Sequence, residues 1–165
     1  MVGDCGVNSY LIPGAPALNL GGPDRDARID ALEAAMLANP DMSSPEAHGI
    51  QILHHFAPGI YAREMRVPAG RIVTSKVHKF ENFSILSKGR MVLYHDDGRL
   101  SEIEAGFHVI APAGARRVAW VKEASVWTSI HATDERDLDK IEAHFVAATR
   151  GAYLEFVAKE SLCLG

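Results

Sequence analysis

GRIVTSKVHKFENFSILSKG, residues 70–89, and GFHVIAPAGARRVAWV, residues 106–121, decide how this 165-residue chain folds. Both are short runs of Val, Ile, Phe and Thr broken by glycine and proline. Branched and aromatic side chains suit a pleated, half-buried surface, so the runs read as strands. The pattern extends outward in both directions, with interruptions at Pro58-Gly59, Pro68-Ala69-Gly70, Lys88-Gly89, Asp97-Gly98, Gly106 and Pro112-Ala113-Gly114. Turn signals repeated at this short spacing indicate an all-β sandwich or barrel over residues 49–133. Asp97-Gly98, between Met91-Val92-Leu93-Tyr94 and Leu100-Ser101-Glu102-Ile103, predicts a hairpin closed by a two-residue turn with positive φ.

The flanks have other periods. Residues 23–48 are a helical lead-in: Pro23-Asp24 opens it, Ile29, Leu32 and Met36 form one apolar stripe, and Asn39-Pro40 stops it. Residues 1–22 hold Gly3, Gly6, Pro13, Pro16, Gly21 and Gly22 among Tyr10, Leu11, Ile12, Leu18 and Leu20, an extended arm without helical or strand period. These apolar residues need a surface to cover. Over residues 134–165 a helix is expected, capped by Thr133-Asp134, with Leu138, Ile141, Phe145 and Ala148 on one stripe and Asp137 paired with Lys140. An apolar tail follows, Tyr153-Leu154-Glu155-Phe156-Val157 to Gly165. The whole reads as one domain.

Composition excludes several classes. Apolar residues are 47% and charged residues 23% of the chain, ordinary globular usage. Net charge is −4 and basic residues cluster no further than pairs such as Arg116-Arg117, so no cationic stripe is available for nucleic acid. No apolar run approaches the roughly 20 residues that span a bilayer, and Met1-Val2-Gly3-Asp4-Cys5 lacks a signal-peptide pattern, so a cytoplasmic location is expected. Cys5 and Cys163 lack metal-ligand spacing and read as two free thiols.

The two opening stretches resemble the paired motifs of the cupin superfamily, whose jelly-roll barrel places metal ligands in its interior. At the offsets of the first motif stand Gly70, Lys76, His78, Asn82 and Gly89; at those of the second stand Gly106, Pro112, Gly114, Arg117 and Val121, with 16 residues between the motifs. The turn residues are kept while most ligands are replaced. The resemblance covers residues 58–132 and implies an all-β cupin-type jelly roll with an N-terminal helix, a C-terminal helix and extended terminal arms. Strings such as Gly59-Ile60-Tyr61-Ala62-Arg63-Glu64-Met65 and Trp127-Thr128-Ser129-Ile130-His131 are also similar to small cupins encoded by tailed bacteriophages.

Of the four ligand slots only His78 has a ligating side chain. Lys76 and Arg117 bring fixed positive charge and would repel a divalent ion. No resident metal or other cofactor is therefore expected; a mononuclear metal, and with it oxygenase chemistry, would need Glu81 and His131 to join His78. The same positions suit an anion instead. Lys76 and His78 share a strand face, and Arg117 adds a planar fork, with Asn82 and His131 as further candidates for a carboxylate, phosphate or acidic sugar. A metal-free epimerase would use a His base with cationic anchors, and it would require an orienting carboxylate and an acid such as Tyr61. The bland alternative has Lys76 and Arg117 paired with Glu64 or Glu81 over a packed interior, and His131 as a satisfied core residue. His54 and His55 alternate faces and cannot share a site.

Two function classes follow as expectations. One is a binding or assembly protein with a degenerate metal site, a structural or accessory component of a bacteriophage particle in its bacterial host, joined to itself and other subunits through its terminal arms. The other is a small-molecule cupin, an enzyme or an anion binder.

Overall fold

The structure, a computed structural model, describes residues 12–163; Cys5, Tyr10 and Leu11 of the predicted arm lie outside them. Helix α1 (Arg25–Leu37) leads, with a 3₁₀ turn at Pro40–Met42. The strands follow: β1 (Gln51–Ala57), β2 (Ile60–Val67), β3 (Ile72–Thr74), β4 (Val77–His78), β5 (Asn82–Tyr94), β6 (Leu100–Glu104), β7 (His108–Ala111) and β8 (Val118–Ala132). Helix α2 (Leu138–Phe145), β9 (Val146–Ala147) and helix α3 (Arg150–Cys163) end the described chain.

Every pairing between these strands is antiparallel. Two long strands, β5 and β8, pair along their length and run through both walls of the molecule. One half of the pair is flanked by β1, β2 and β7 and the other by β3 and β6. The register shifts between Leu86 and Met91 mark where β5 bends from one wall to the other. This is the expected all-β jelly roll with helices at its termini. Between the walls sits a core of Val67, Leu86, Met91, Ile103, Ala119 and Val121.

Three expectations are corrected. Hairpin β5–β6 forms, but its loop is His95–Arg99, and within the described chain only glycines adopt positive φ, so Gly98 alone supplies the left-handed position. The cap of α2 is Asp137, whose carboxylate accepts from the backbone of Asp139 and Lys140; Asp134 instead accepts from Gly59 N at 2.6 Å. Residues 150–163 are helical, not an extended tail. The run from Tyr153 to Val157 shows no apolar stripe: α3 meets the rest of the chain through Arg150, Tyr153 and Phe156 and leaves Leu154 and Leu162 exposed.

The described part of the arm packs on its own barrel. Leu20 is buried with Ile29, Tyr94 and Val118, and Leu18 packs beside them. Tyr94 donates its hydroxyl to Pro16 O at 2.8 Å. Arg25, itself buried, donates to Leu20 O at 2.7 Å and Tyr94 O at 2.8 Å and pairs with Asp96 at 2.9 Å. Burial of such apolar side chains is worth about 1.5–3 kcal/mol each, which explains why a segment without periodicity adheres to the barrel.

Candidate functional site

Between the two walls lies a cavity of about 350 Å³. All five candidate ligand-binding residues, Lys76, His78, Asn82, Arg117 and His131, line it. Strand alternation explains most of the set. On β8, Trp127, Ser129 and His131 point inward; on β2, Tyr61, Arg63 and Met65 do, in register opposite His131, Ser129 and Trp127. His78 comes from the short β4–β9 pair, and Arg117 is fixed where its N–H donates to Ser75 Oγ at 2.8 Å. Helix α2 closes one end, packing Ile141 and Phe145 on Tyr61.

Arg63 was not singled out from the sequence, and neither were Ser84 and Ser129. Alternation puts Arg63 on the face of Tyr61, but its place opposite β8 depends on a pairing some 65 residues away. His54 also lines the cavity, sharing a 2.9 Å hydrogen bond with the Tyr61 hydroxyl, while His55 faces outward to Glu64 at 3.1 Å. The two histidines do take opposite faces.

The charged residues lining the chamber are mostly cationic, Arg63, Lys76 and Arg117 against the single carboxylate of Glu142 on α2. Among the described residues no carboxylate lies within ion-pair distance of Arg63, Lys76 or Arg117. Glu64 is taken by Arg66 at 2.6 Å, and Glu81 is exposed outside the cavity. The packed-interior alternative therefore does not describe this barrel. Burial pulls the Arg117 guanidinium below its ordinary value. His78 is lowered by burial, then by Arg117 and Arg63, so both guanidinium groups act on the same ring. His131 is lowered to about 4 by burial, then by His78 and Arg63.

The histidines form a ring stack. His131 lies 5.8 Å from His78, 6.0 Å from Tyr61 and 4.5 Å from Phe145, centroid to centroid. His131 is no satisfied core residue: its Nδ1, the Nδ1 of His78 and Nδ2 of Asn82 are buried without a partner among the described residues. Asn82 is otherwise held by Ser84, whose hydroxyl donates to its Oδ1 at 2.9 Å and lies 3.2 Å from Ser129 Oγ.

The metal that the fold implies does not fit. With Glu81 outside, His78 and His131 lack a third ligand, and no group of three His, Cys, Asp or Glu among the described residues could hold an ion. The epimerase arrangement also lacks its parts. Neither buried Nδ1 meets an orienting carboxylate, and the Tyr61 hydroxyl is engaged by His54.

A neutral buried His131 makes stability pH-dependent. Above pH 6.5 the ring is neutral in both states and its contribution is complete; as pH falls from 6.5 to about 4 the unfolded chain takes up the proton first, so stability is lost. One pKa unit is about 1.4 kcal/mol, and with residual solvation a loss on the order of 2 kcal/mol is expected. Thermal melts across this range should show His131→Phe flattening the decline relative to the parent chain. Parallel curves would refute the assignment.

Fold and cavity together define the class: an antiparallel jelly-roll barrel enclosing a partly apolar chamber lined by more cations than carboxylates. No protein-family model matches the chain, and no curated protein matches it. Solved structures similar to it include the Cupin_2 domain of an XRE family transcriptional regulator from Enterobacter cloacae, at 10% identity and TM-score 0.43, covering 52% of this chain and 98% of that one. Another is an uncharacterized conserved protein with a double-stranded beta-helix domain from Klebsiella pneumoniae, at 17% identity and TM-score 0.44 over 50% and 76% of the two chains. A cupin-2 domain containing protein from Shewanella frigidimarina matches at 14% identity and TM-score 0.42, over 50% and 80%. Among the described residues no helix is long and apolar enough to cross a membrane.

Proposed function

We propose that this chain binds a small organic anion inside its barrel. The observation that carries the reading is the pair of guanidinium groups, Arg63 from one wall and Arg117 from the other, both bearing on His78 with no carboxylate partner among the described residues. A cation removed from water without a counter-charge is costly, and a ligand carboxylate would relieve that cost with charge-assisted hydrogen bonds. Lys76, exposed at the rim, attracts the anion to the mouth. The reading is of a binding protein.

Calorimetric titration of the full chain with acetate, benzoate, 2-oxobutanoate and inorganic phosphate tests this. At least one anion should bind, and Arg117→Ala should weaken it by about tenfold or more. Arg117→Lys should restore only part, because the planar fork is gone. Absence of binding by all four, or equal affinity in Arg117→Ala, would overturn the reading.

The assembly reading, in a bacteriophage particle or elsewhere, has as its support the exposed Leu154 and Leu162 on α3 and Phe83 and Ile110 on the barrel wall.

A further inference from the structure

The chamber is layered, and the layers say which organic anion. Its floor is apolar: Met65, Val73, Met91, Leu93, Ala119 and Trp127 line it, with Met65 opposite Trp127 on one wall and Val73 and Leu93 opposite Ala119 on the other. The next row is polar, with Arg63 and Ser84 both paired to Ser129 and Arg117 two residues before Ala119. Above it Tyr61 pairs with His131, and the β5–β8 register carries Asn82 to the same level. Here are the unpartnered Asn82 Nδ2 and His131 Nδ1, on side chains only 5% and 7% exposed.

We propose that the ligand is a hydrophobic monocarboxylate with a second oxygen next to the acid group, a branched or aromatic 2-oxo or 2-hydroxy acid. The inference rests on the anion-binding reading above. The carboxylate sits between Arg63 and Arg117, the hydrocarbon body lies on the floor, and the second oxygen accepts from Asn82 Nδ2 beside His131. Each part answers a feature that a simpler anion leaves unanswered. Phosphate between the two arginines would leave the apolar floor of Met91 and Leu93 uncovered, and a hydrocarbon acid would leave the Asn82 donor buried and unpaired. Small-molecule sites run about 300–1,000 Å³, so a chamber of about 350 Å³ takes a body of a few carbons or one ring and excludes a nucleotide sugar. Two half-desolvated guanidiniums balance one negative charge better than the two of a phosphate dianion.

The test uses the full chain and probes that differ by one feature each: 4-methyl-2-oxopentanoate, pyruvate with the same head and no body, 4-methylpentanoate without the oxo group, 4-methylpentan-2-one without the carboxylate, and inorganic phosphate. The branched oxo acid should bind tightest. Pyruvate, three carbons shorter, should bind on the order of fiftyfold more weakly, and the ketone should not bind measurably. 4-Methylpentanoate should be about tenfold weaker than its oxo counterpart, and Asn82→Ala should erase that difference by weakening the oxo acid relative to 4-methylpentanoate. If pyruvate or phosphate matches the branched acid, the ligand class falls while the anion site stands. If the two six-carbon acids bind equally, the second-oxygen contact falls. If no acid binds, the anion site and the class fall together.

Discussion

Gly89→Ala should cost more than about 4 kcal/mol and leave little folded chain at 37 °C, an effect large against the roughly 5–15 kcal/mol of a whole domain. Gly89 has φ +85° at the bend of β5. An added Cβ there would overlap the Ser125 hydroxyl and the Ala124 carbonyl oxygen, and would stand 2.8 Å from Ser125 Cα. Those atoms belong to β8, paired to β5 on both sides of the bend, so they cannot retreat without parting the two strands that carry both walls. Gly59→Ala is the control, because its φ is +71° yet nothing lies within 4 Å of the added atom; about 1 kcal/mol of backbone strain is expected. Denaturant melts separate the two variants. Similar losses in both would mean that positive φ alone, and not the crossing of β5 with β8, sets the cost.

The bend connects the fold to the chamber. β5 contributes Asn82 and Ser84 before it and Met91 and Leu93 after it, so one strand furnishes both the polar upper level and the apolar floor. This explains why the fold was legible in the sequence. Gly70, Gly89, Gly106 and Gly114 stand at fixed offsets because a backbone turning so tightly leaves few residue types in those places, and such local constraints are written in a single sequence. The four slots between the turns were legible too, and the structure brings Lys76, His78, Asn82 and Arg117 to one cavity.

What could not be read is long-range. Arg63 is unremarkable until β2 lies beside β8, and no local pattern specifies that pairing. The apolar side chains of residues 12–22 showed that the segment needed a surface without saying whose. Helix α3 escaped because a helix touching its barrel on few points has no stripe to display, and its short apolar run, interrupted only by Glu155, resembles a strand or tail.

Arg116 and Arg117 should respond to mutation in opposite ways although they are neighbours. The Arg116 side chain is 5% exposed and holds Asp30 at 2.7 Å, Glu33 at 2.9 Å and Asp26 at 3.5 Å, all on one face of α1. Asp26 also pairs with Arg150 of α3 at 2.8 Å. Removing the cation leaves Asp30 and Glu33 without their counter-charge and Asp26 with Arg150 alone; breaking a buried pair costs about 3–5 kcal/mol, and the partial exposure of these carboxylates puts the loss at about 3 kcal/mol. Arg116→Ala should therefore lower the melting temperature by roughly 6–12 °C, since each kcal/mol moves a chain of this size by about 2–4 °C. Its ligand affinity, measured where the variant is folded, should stay within about twofold, because the side chain does not line the chamber. Arg117 points to the other side, has no carboxylate partner among the described residues, and is held there against the preference of burial for an uncharged group. Arg117→Ala removes that opposition, so its melting temperature should be unchanged or higher while anion binding is lost. One arginine then fastens helices to the barrel, and the next, one residue along the same backbone, waits for a counter-charge from outside the chain. If both variants melt early by similar amounts, Arg117 is another structural cation and the chamber has lost its ligand-binding centre.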